Sequence, residues 1–363
     1  MKNYLLILGF ILPIIACAPT KDLEIKEVDV VLSKASEEIV LLEDVFNIED
    51  MIQLETSPEC MISYIKRLEY YNDCYYILDN NIQQTVLVFD AQGHFMHKIG
   101  RLGHGKGEYI TIVDFAIDRE EKRIIMLSRN SSVLVYKLDG TFLFKKELDK
   151  SLFWNLTSNA HNLIFSTNNL TYTSGENAYL FYEFDKGLKL RRKFYPVLSE
   201  QMYAISAIPS KLYTLNNEFI YTDMYSHKSF LINQLGEIET CYNFQFKNPM
   251  PQRNFQNNDI FMAEQLKFDY LLDNMLLSKN IITFFYQDGK SRIAIADKSG
   301  NVLLNKVYGG IIPKFYFSDG DKIITAINAF DLKRMSEYTN LPRRGITIMP
   351  ENNYVIATLK PHL

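Results

Sequence analysis

Short stretches of apolar residues, separated by turns, recur along most of the chain. Thr85–Asp90 carries apolar residues on both faces of a predicted strand, which indicates a strand packed on both sides. Asp90-Ala-Gln-Gly93 then predicts a turn, because glycine can adopt positive φ. Another β-rich stretch follows, and then a glycine-rich crossing at residues 100–109. The unit therefore predicts a strand, a tight turn, a strand and a crossing.

The same turn recurs downstream, each time between two β-rich stretches. The later copies end at four further glycines, namely Gly140, Gly187, Gly236 and Gly300. The separations between successive turn glycines, apart from the last one, lie between 40 and 50 residues. Periods of this length, with about four short strands in each unit, are typical of β-propeller blades.

We predict an all-β fold, a six-bladed β-propeller, for residues 38–363. The last blade is one strand short, whereas residues 51–55 form a surplus strand before the first blade. We expect residues 52–54 to lie beside residues 354–359, because this N-terminal strand would join the C-terminal blade and remove an exposed sheet edge. Two irregular insertions interrupt the period, at residues 247–267 and 329–345, and the second contains a helix-like piece at 331–338.

The N-terminus predicts a targeting segment outside the fold. Lys2 precedes an apolar run at residues 5–15, which is shorter than the roughly 20 residues that a membrane span needs. Ile14-Ile15-Ala16-Cys17 resembles the bacterial lipobox, in which the cysteine is acylated; an ordinary secretory signal is the alternative. We expect a signal peptide at 1–16, a lipidated Cys17, a polar tether at 17–37 and a location in the cell envelope, on either side of the outer membrane.

Charge and cysteine content narrow the range of partners. The chain has 39 basic and 43 acidic residues, a mildly acidic balance that argues against binding to nucleic acid. Cys60 and Cys74 are predicted at opposite ends of one hairpin, too far apart for a disulfide. We therefore expect Cys60, Cys74 and Cys241 to be free thiols, and the protein to be a monomer that meets the membrane through its lipid.

Motifs for metal, cofactor or nucleophilic chemistry do not emerge, so no metal and no cofactor are predicted. His94 and His97 are three residues apart, but on a strand they point to opposite faces. The glycines at 100–109 lack the Lys-Ser/Thr pair and the helix of a phosphate-binding loop. We interpret that stretch as a structural crossing, which Glu108 and Tyr109 hold in place.

Loops on one face of the disc form the predicted binding site. Neighbouring strands are antiparallel, so the crossings between blades and the connections between second and third strands share a face, together with both insertions. Binding residues tend to lie in such loops. The candidates, whose basic and aromatic groups suit a glycan, a peptide or a protein, are Arg101, His104, Arg129, Tyr172, Tyr225, His227, Arg253 and Phe255. Tyrosine and phenylalanine also serve as core residues between blades.

A family resemblance rests on the first two predicted blades. Tyr76-Ile-Leu-Asp79, Val88-Phe-Asp90, Gly93 and residues 99–109 resemble the NHL repeat. More narrowly, the chain is similar to six-bladed β-propeller lipoproteins of gut bacteria. The resemblance implies the fold and the cellular location, and it implies no catalytic residues. Lys106 stands where this family tends to place a proline in its crossing.

Two functions remain open from the sequence. One is a lipid-anchored binding or scaffolding module of the envelope that uses the insertion face. The alternative is a metal-dependent hydrolase of the lactonase type, with a divalent cation held in the central channel by oxygen ligands such as Asp79 and Asp114. We favour the binding module, without enzymatic activity, because no catalytic constellation can be assembled from the sequence.

Overall fold

The structure is a computed structural model of the 363-residue chain. It describes residues 25–148, 152–167, 179–197, 211–215, 218–224, 226–272, 275–278, 280–319, 322–338, 349 and 351–362. These residues form six small, mainly antiparallel sheets, which are the six blades of a β-propeller. The predicted fold class is confirmed.

An N-terminal arm precedes the first blade. Its strands are β1 (Lys26–Val31), β2 (Ser36–Val40) and β3 (Phe46–Gln53), and a 3-10 helix lies at Leu42–Asp44. Each strand of the arm joins a blade that is built mainly from residues much later in the chain.

Blades one to three follow in chain order, each with four strands. Blade one comprises β4 (Ile65–Tyr71), β5 (Cys74–Asp79), β6 (Thr85–Asp90) and β7 (Phe95–Ile99). The crossing to the next blade contains β8 (Arg101–Leu102) and β9 (Glu108–Tyr109). Blade two comprises β10 (Ile112–Asp118), β11 (Arg123–Ser128), β12 (Ser132–Lys137) and β13 (Phe142–Glu147). Blade three comprises β14 (Asn155–Ser158), β15 (Asn162–Ser166), β16 (Tyr179–Asp185) and β17 (Leu190–Pro196).

Blades four to six complete the ring. Blade four comprises β18 (Lys211–Leu215), β19 (Glu218–Asp223), β20 (Lys228–Ile232) and β21 (Ile238–Gln245). Blade five comprises β22 (Tyr270–Leu271), β23 (Leu276–Leu277), β24 (Ile281–Gln287), β25 (Ser291–Asp297) and β26 (Val302–Tyr308). Blade six comprises β27 (Lys314–Asp319), β28 (Lys322–Ile327) and β29 (Val355–Pro361), together with β3 from the arm.

The ring closes where the sequence predicts. Strand β3 pairs antiparallel with β29, with Ile52 opposite Ile356 and Gln53 opposite Val355. The pairing continues past the strand end, where the Leu54 N–H donates to the Tyr354 carbonyl oxygen at 3.0 Å. Because β3 and β29 belong to one sheet, no gap is left between the first and last blades, and all six blades pack as one ring.

Much of the segment expected to be a tether instead belongs to the propeller. Strand β1 pairs in parallel with β21, and β2 pairs in parallel with β26. In β1 the side chains of Val28 and Val30 are buried, whereas their neighbours are exposed. This period of two is that of a strand with one face packed, a pattern that the many charged residues of 21–36 obscure in the sequence.

Two turn glycines, Gly93 and Gly300, pack against the outermost strand of the preceding blade in the ring. Gly93 has φ +88°, and a Cβ at this position would collide with the carbonyl oxygen of Gln53 in β3. Gly300, at φ +88°, lies in the same way against Asp29 in β1. The recurrent glycine therefore serves both the turn conformation and the close approach of two strands.

Both irregular insertions have ordered structure in the described residues. The first contains a 3-10 helix at Gln252–Gln256 and helix α1 (Asn258–Glu264), whose N-cap is Asn257. It has its own small core, made of Met250, Phe255, Phe261 and Tyr270. In blade six, helix α2 (Ala329–Tyr338) confirms the predicted helix-like piece.

The three cysteines in the described part of the chain are free thiols, as predicted. Cys60 and Cys241 are buried, and Cys74 is half-buried. No helix in the described residues combines the length and the apolar character that a membrane span requires.

Candidate functional site

A cleft of about 810 Å³ lies beside blade two. Its walls are the crossing at residues 103–111, the β11–β12 connection at 128–132 and the part of β13 at 142–145. We call it the blade-two cleft. A crossing and a connection between second and third strands both belong to the face on which the sequence analysis places the binding site.

Glu108 holds the glycine-rich crossing in shape. One carboxylate oxygen, Oε2, accepts the Gly105 N–H at 2.7 Å, and the other, Oε1, accepts Arg101 Nε at 2.5 Å. The backbone N–H of Gly105, and then Arg101, hold the pKa of Glu108 below its usual value. A Cβ at Gly103 would collide with the Glu108 side chain, so this fold of the loop requires glycine there.

Aromatic side chains form the base of the same crossing. The hydroxyl of buried Tyr109 donates to the Gln84 carbonyl at 3.0 Å, and the Tyr136 hydroxyl donates to the Gly107 carbonyl at 2.8 Å. Phe142 packs edge-on against Tyr136, with ring centroids 5.5 Å apart. These contacts agree with the interpretation of the crossing as a structural element, and they give the cleft a rigid base.

Basic residues dominate the polar rim of the blade-two cleft. His104, Lys106, Arg129 and Lys145 are all exposed lining residues. Among the described residues, the lining contains one carboxylate, that of Glu108, which pairs with Arg101. Lys145 Nζ lies 3.0 Å from Glu147, but an exposed pair of this kind is weak and can open toward a ligand. The cleft therefore favours an anionic partner.

Strand β13 contributes an unpaired edge to the cleft. It is the outermost strand of blade two, and no described strand lies beyond it. Leu143 and Phe144 on this strand are 40% and 37% exposed, so apolar surface lies beside the rim cations. An outer strand also presents a row of unpaired backbone N–H and C=O groups.

The predicted site residues fall into separate places. His104 and Arg129 line the blade-two cleft. Arg101 forms an ion pair with Glu108, which is part of the cleft wall. Arg253 is exposed on the first insertion. Tyr172 and Tyr225 lie outside the described residues. The blade-two cleft thus contains two of the candidates, and a third pairs with a residue of its wall.

His227 and Phe255 have structural roles instead. The His227 ring packs between Phe246 and Phe255, with centroids 5.0 and 6.0 Å away. Burial lowers the pKa of His227 to about 4, so the ring is neutral near pH 7. Phe255 is 4% exposed and belongs to the small core of the insertion. Neither side chain presents a binding surface.

Sequence reasoning missed Lys106, Leu143, Phe144 and Lys145 as cleft residues. The signal for the last three was present, because β13 reads FLFKKE and places apolar residues next to lysines in an outermost strand. An outer strand needs no such apolar residues for the blade core, so exposed apolar residues there indicate a contact surface.

A void of about 40 Å³ lies among the inner strands of the ring. It is lined by residues of five inner strands, including Arg67 of β4 and Asp114 of β10. Arg67 Nη1 lies 3.0 Å from Asp114 Oδ2 and also donates to the Leu156 carbonyl at 2.6 Å. Burial raises the pKa of Asp114, and the Arg67 charge offsets part of that rise. An arginine thus stands where the hydrolase alternative needs a divalent cation.

Asp79, the other ligand suggested for that cation, organises a loop. Its carboxylate accepts the Ser63 N–H at 2.9 Å and the Asn81 N–H at 2.8 Å. Among the residues that the structure describes, no three His, Cys, Asp or Glu side chains converge as a metal site.

Known proteins share this fold. An inferred exported protein of Bacteroides fragilis superposes with a TM-score of 0.74 at 17% identity, over 93% of this chain and 100% of that one. A member of the DUF4221 family from Bacteroides vulgatus superposes with a TM-score of 0.59 at 8% identity, over 87% of this chain and 98% of that one. At such identities the likeness establishes the fold alone. No curated protein matches the chain.

A family match covers the whole propeller and most of the arm. Residues 25–360 match the family described as Domain of unknown function (DUF4934), from the residue before β1 into the last strand, β29. The matched region includes the arm strands that close the ring and cover blades four and five. The chain is a member of the DUF4934 family.

Proposed function

We propose that the protein is a binding module of the cell envelope that captures an extended acidic polypeptide in the blade-two cleft. The observation that carries the proposal is the open edge of β13 beside His104, Lys106 and Arg129. An added strand would gain main-chain hydrogen bonds along β13, and its carboxylates would meet the rim cations.

The protein's own arm supports this mode of binding. Strands β1 and β2 already add in parallel to the outer strands of blades four and five. A parallel strand on the outer edge of a blade is therefore compatible with the geometry of this ring. A polypeptide matches the spacing of backbone groups on such an edge, which favours a peptide or protein segment over a glycan.

The exposed apolar residues of β13 add a further element of recognition. Leu143 and Phe144, which are both partly exposed on β13, offer apolar contact to an added strand. A segment that alternates acidic and branched apolar residues would use both the apolar strip and the cations. Glu108 would not repel it, since Arg101 compensates that charge.

The envelope location rests on Cys17 as the lipid attachment site. Eight residues separate Cys17 from Lys26, the first residue of β1. At full extension they reach about 30 Å, so a lipid on Cys17 would hold the propeller close to the membrane surface. Cys17→Ala should release the protein from the membrane fraction and abolish incorporation of labelled fatty acid. Retention of both properties would contradict the anchor without affecting the cleft.

The cleft is tested by charge reversal in the purified protein. The variant Arg129→Glu/Lys145→Glu should bind a fluorescein-labelled peptide of alternating Glu and Val at least about tenfold more weakly, as measured by fluorescence anisotropy. Wild-type binding should also weaken with added salt. The matched control is Lys298→Glu, which reverses an exposed charge in the blade-five turn and should leave affinity unchanged.

Three outcomes would overturn the proposed function. One is equal binding of the peptide by wild type and the cleft variant. Another is a wild-type protein that does not bind the peptide. The third is capture of a neutral oligosaccharide that the cleft variant retains, which would show that a glycan and another surface are used.

A further inference from the structure

A further void lies between blades five and six, away from both the blade-two cleft and the void among the inner strands. Its volume is about 160 Å³, and residues of the arm, of the crossing after β26 and of helix α2 line it. Leu42 and Met335 are buried in its walls, and Ile311 adds apolar surface. We call it the Tyr308 pocket, after its one tyrosine.

The hydroxyl of Tyr308 is buried and has no hydrogen-bond partner among the residues that the structure describes. Tyr308 is 4% exposed, and its ring packs edge-on against Phe285 at 5.1 Å. Burial raises the pKa of Tyr308, and the carboxylate of Glu43 raises it further, so the group stays protonated as a donor. A buried donor without an acceptor costs about 1–3 kcal/mol, which a ligand that supplies an acceptor would recover.

Gly310 keeps the space over this hydroxyl open. A Cβ on Gly310 would lie 3.1 Å from Tyr308 Oη. A single water needs only about 30 Å³, whereas a dry cavity of about 150 Å³ is large enough to hold benzene. The pocket therefore has room for one ring, with a hydrogen-bond donor in its wall.

Arg334 supplies a charged group to the lining. It is an exposed residue of α2, and its guanidinium lies 5.9 Å from the centre of the Phe330 ring. Arginine binds carboxylates through paired N–H donors. The lining thus combines apolar walls, one neutral donor and one cation.

We propose that the Tyr308 pocket binds a single-ring hydroxyaromatic carboxylic acid. The ring lies between Leu42, Ile311 and Met335, its hydroxyl oxygen accepts from Tyr308, and its carboxylate pairs with Arg334. This site is independent of the blade-two cleft and of the proposed peptide capture.

Three probes separate the elements of recognition. Calorimetric titration of the purified protein should show binding of 4-hydroxybenzoate. Benzoate lacks the acceptor and should bind about tenfold more weakly. 4-Hydroxybenzyl alcohol lacks the carboxylate and should also bind about tenfold more weakly.

Three variants test the residues. Tyr308→Phe should weaken 4-hydroxybenzoate about tenfold but leave benzoate unchanged, and it should raise or maintain the Tm of the free protein, because it removes an unpaired buried hydroxyl. Arg334→Gln should weaken both carboxylates and leave 4-hydroxybenzyl alcohol unchanged. Gly310→Ala should abolish binding of all three probes, with folding checked by circular dichroism.

Several results would overturn this site. A wild-type protein that binds none of the probes at millimolar concentration would do so. Binding that Tyr308→Phe and Arg334→Gln leave intact would show that the probes sit elsewhere. A Tyr308→Phe variant with a lowered Tm would show that the hydroxyl has a structural partner and is not held for a ligand.

Discussion

The outer edges of the blades differ in what lies against them. Blades four and five are covered by β1 and β2, whereas the outer strands of blades two and three have no described strand beyond them. The covered strands β21 and β26 carry one charged residue each, and the open strands β13 and β17 carry three each. Charged residues protect an exposed edge from pairing with other chains, and a covered edge does not need them.

The two covering strands are held by different forces. Strand β1 buries Val28 and Val30, whereas β2 buries only Val40. Arg292 holds β2 instead, because its guanidinium donates to the Ser36 carbonyl at 2.8 Å and to Glu37 Oε1 at 2.7 Å. Coverage of blade four is thus mainly hydrophobic, and coverage of blade five is mainly polar, which gives the two edges different sensitivities to mutation and pH.

The largest expected effect comes from a charge placed under the covering strand of blade four. Val30 has 0% exposure, so Val30→Asp would bury a carboxylate without a partner or detach β1. We expect a loss of about 3–5 kcal/mol in the free energy of unfolding, as measured by urea denaturation. Detachment would expose the weakly charged β21 edge, so light scattering should also detect self-association.

The matched control on the open edge is Leu143→Asp. Leu143 is 40% exposed on β13, so the new carboxylate stays hydrated and stability should change by about 0.5 kcal/mol or less. Similar losses in the free energy of unfolding for the two variants would mean that β1 does not protect blade four. The difference between covered and open edges would then have no effect on folding stability.

A second, smaller effect concerns the lysines of the open edge. Lys145→Val/Lys146→Val removes both positive charges from β13 and leaves an apolar edge. Folding stability should change by about 0.5 kcal/mol or less, but the apparent mass in light scattering should rise with concentration. Lys306→Val in covered β26 is the control and should stay monomeric. A monomeric double variant would show that these lysines do not guard the edge.

The ring and its closure could be predicted because they rest on local patterns. The Asp-x-x-Gly turn, the flanking β-rich stretches and the count of strands together place β3 beside β29. Helix α2 was also visible as a break in the β period. These features depend on residues close in sequence and on one requirement, that a propeller leave no gap.

The arm and the cleft were harder to predict from the sequence, because the residues that form them lie far apart in the chain. Nothing local shows that Val28 packs near Gly300 or that Glu37 pairs with Arg292. Candidates chosen by residue type, such as His227 and Phe255, proved to be core residues, because aromatic groups serve both packing and binding. Exposed Leu143 and Phe144 were recognisable only once β13 was known to be outermost.

The smallest effect is a loosening of β2 in acid. Lys290, and then Arg292, lower the pKa of Glu37 to about 2 from an ordinary value of 4.5. A depressed carboxylate pKa gives a contribution that is complete above about pH 4.5 and is lost as pH falls toward 2. Amide hydrogen exchange of β2, corrected for intrinsic rates, should therefore accelerate across this window while β1 stays protected by its valines. In Glu37→Gln that step should disappear, whereas Glu38→Gln, which leaves Arg292 untouched, should retain it. An equal acceleration of β1 and β2 would show that the arm detaches as one unit, and that the polar and hydrophobic edges are not independent.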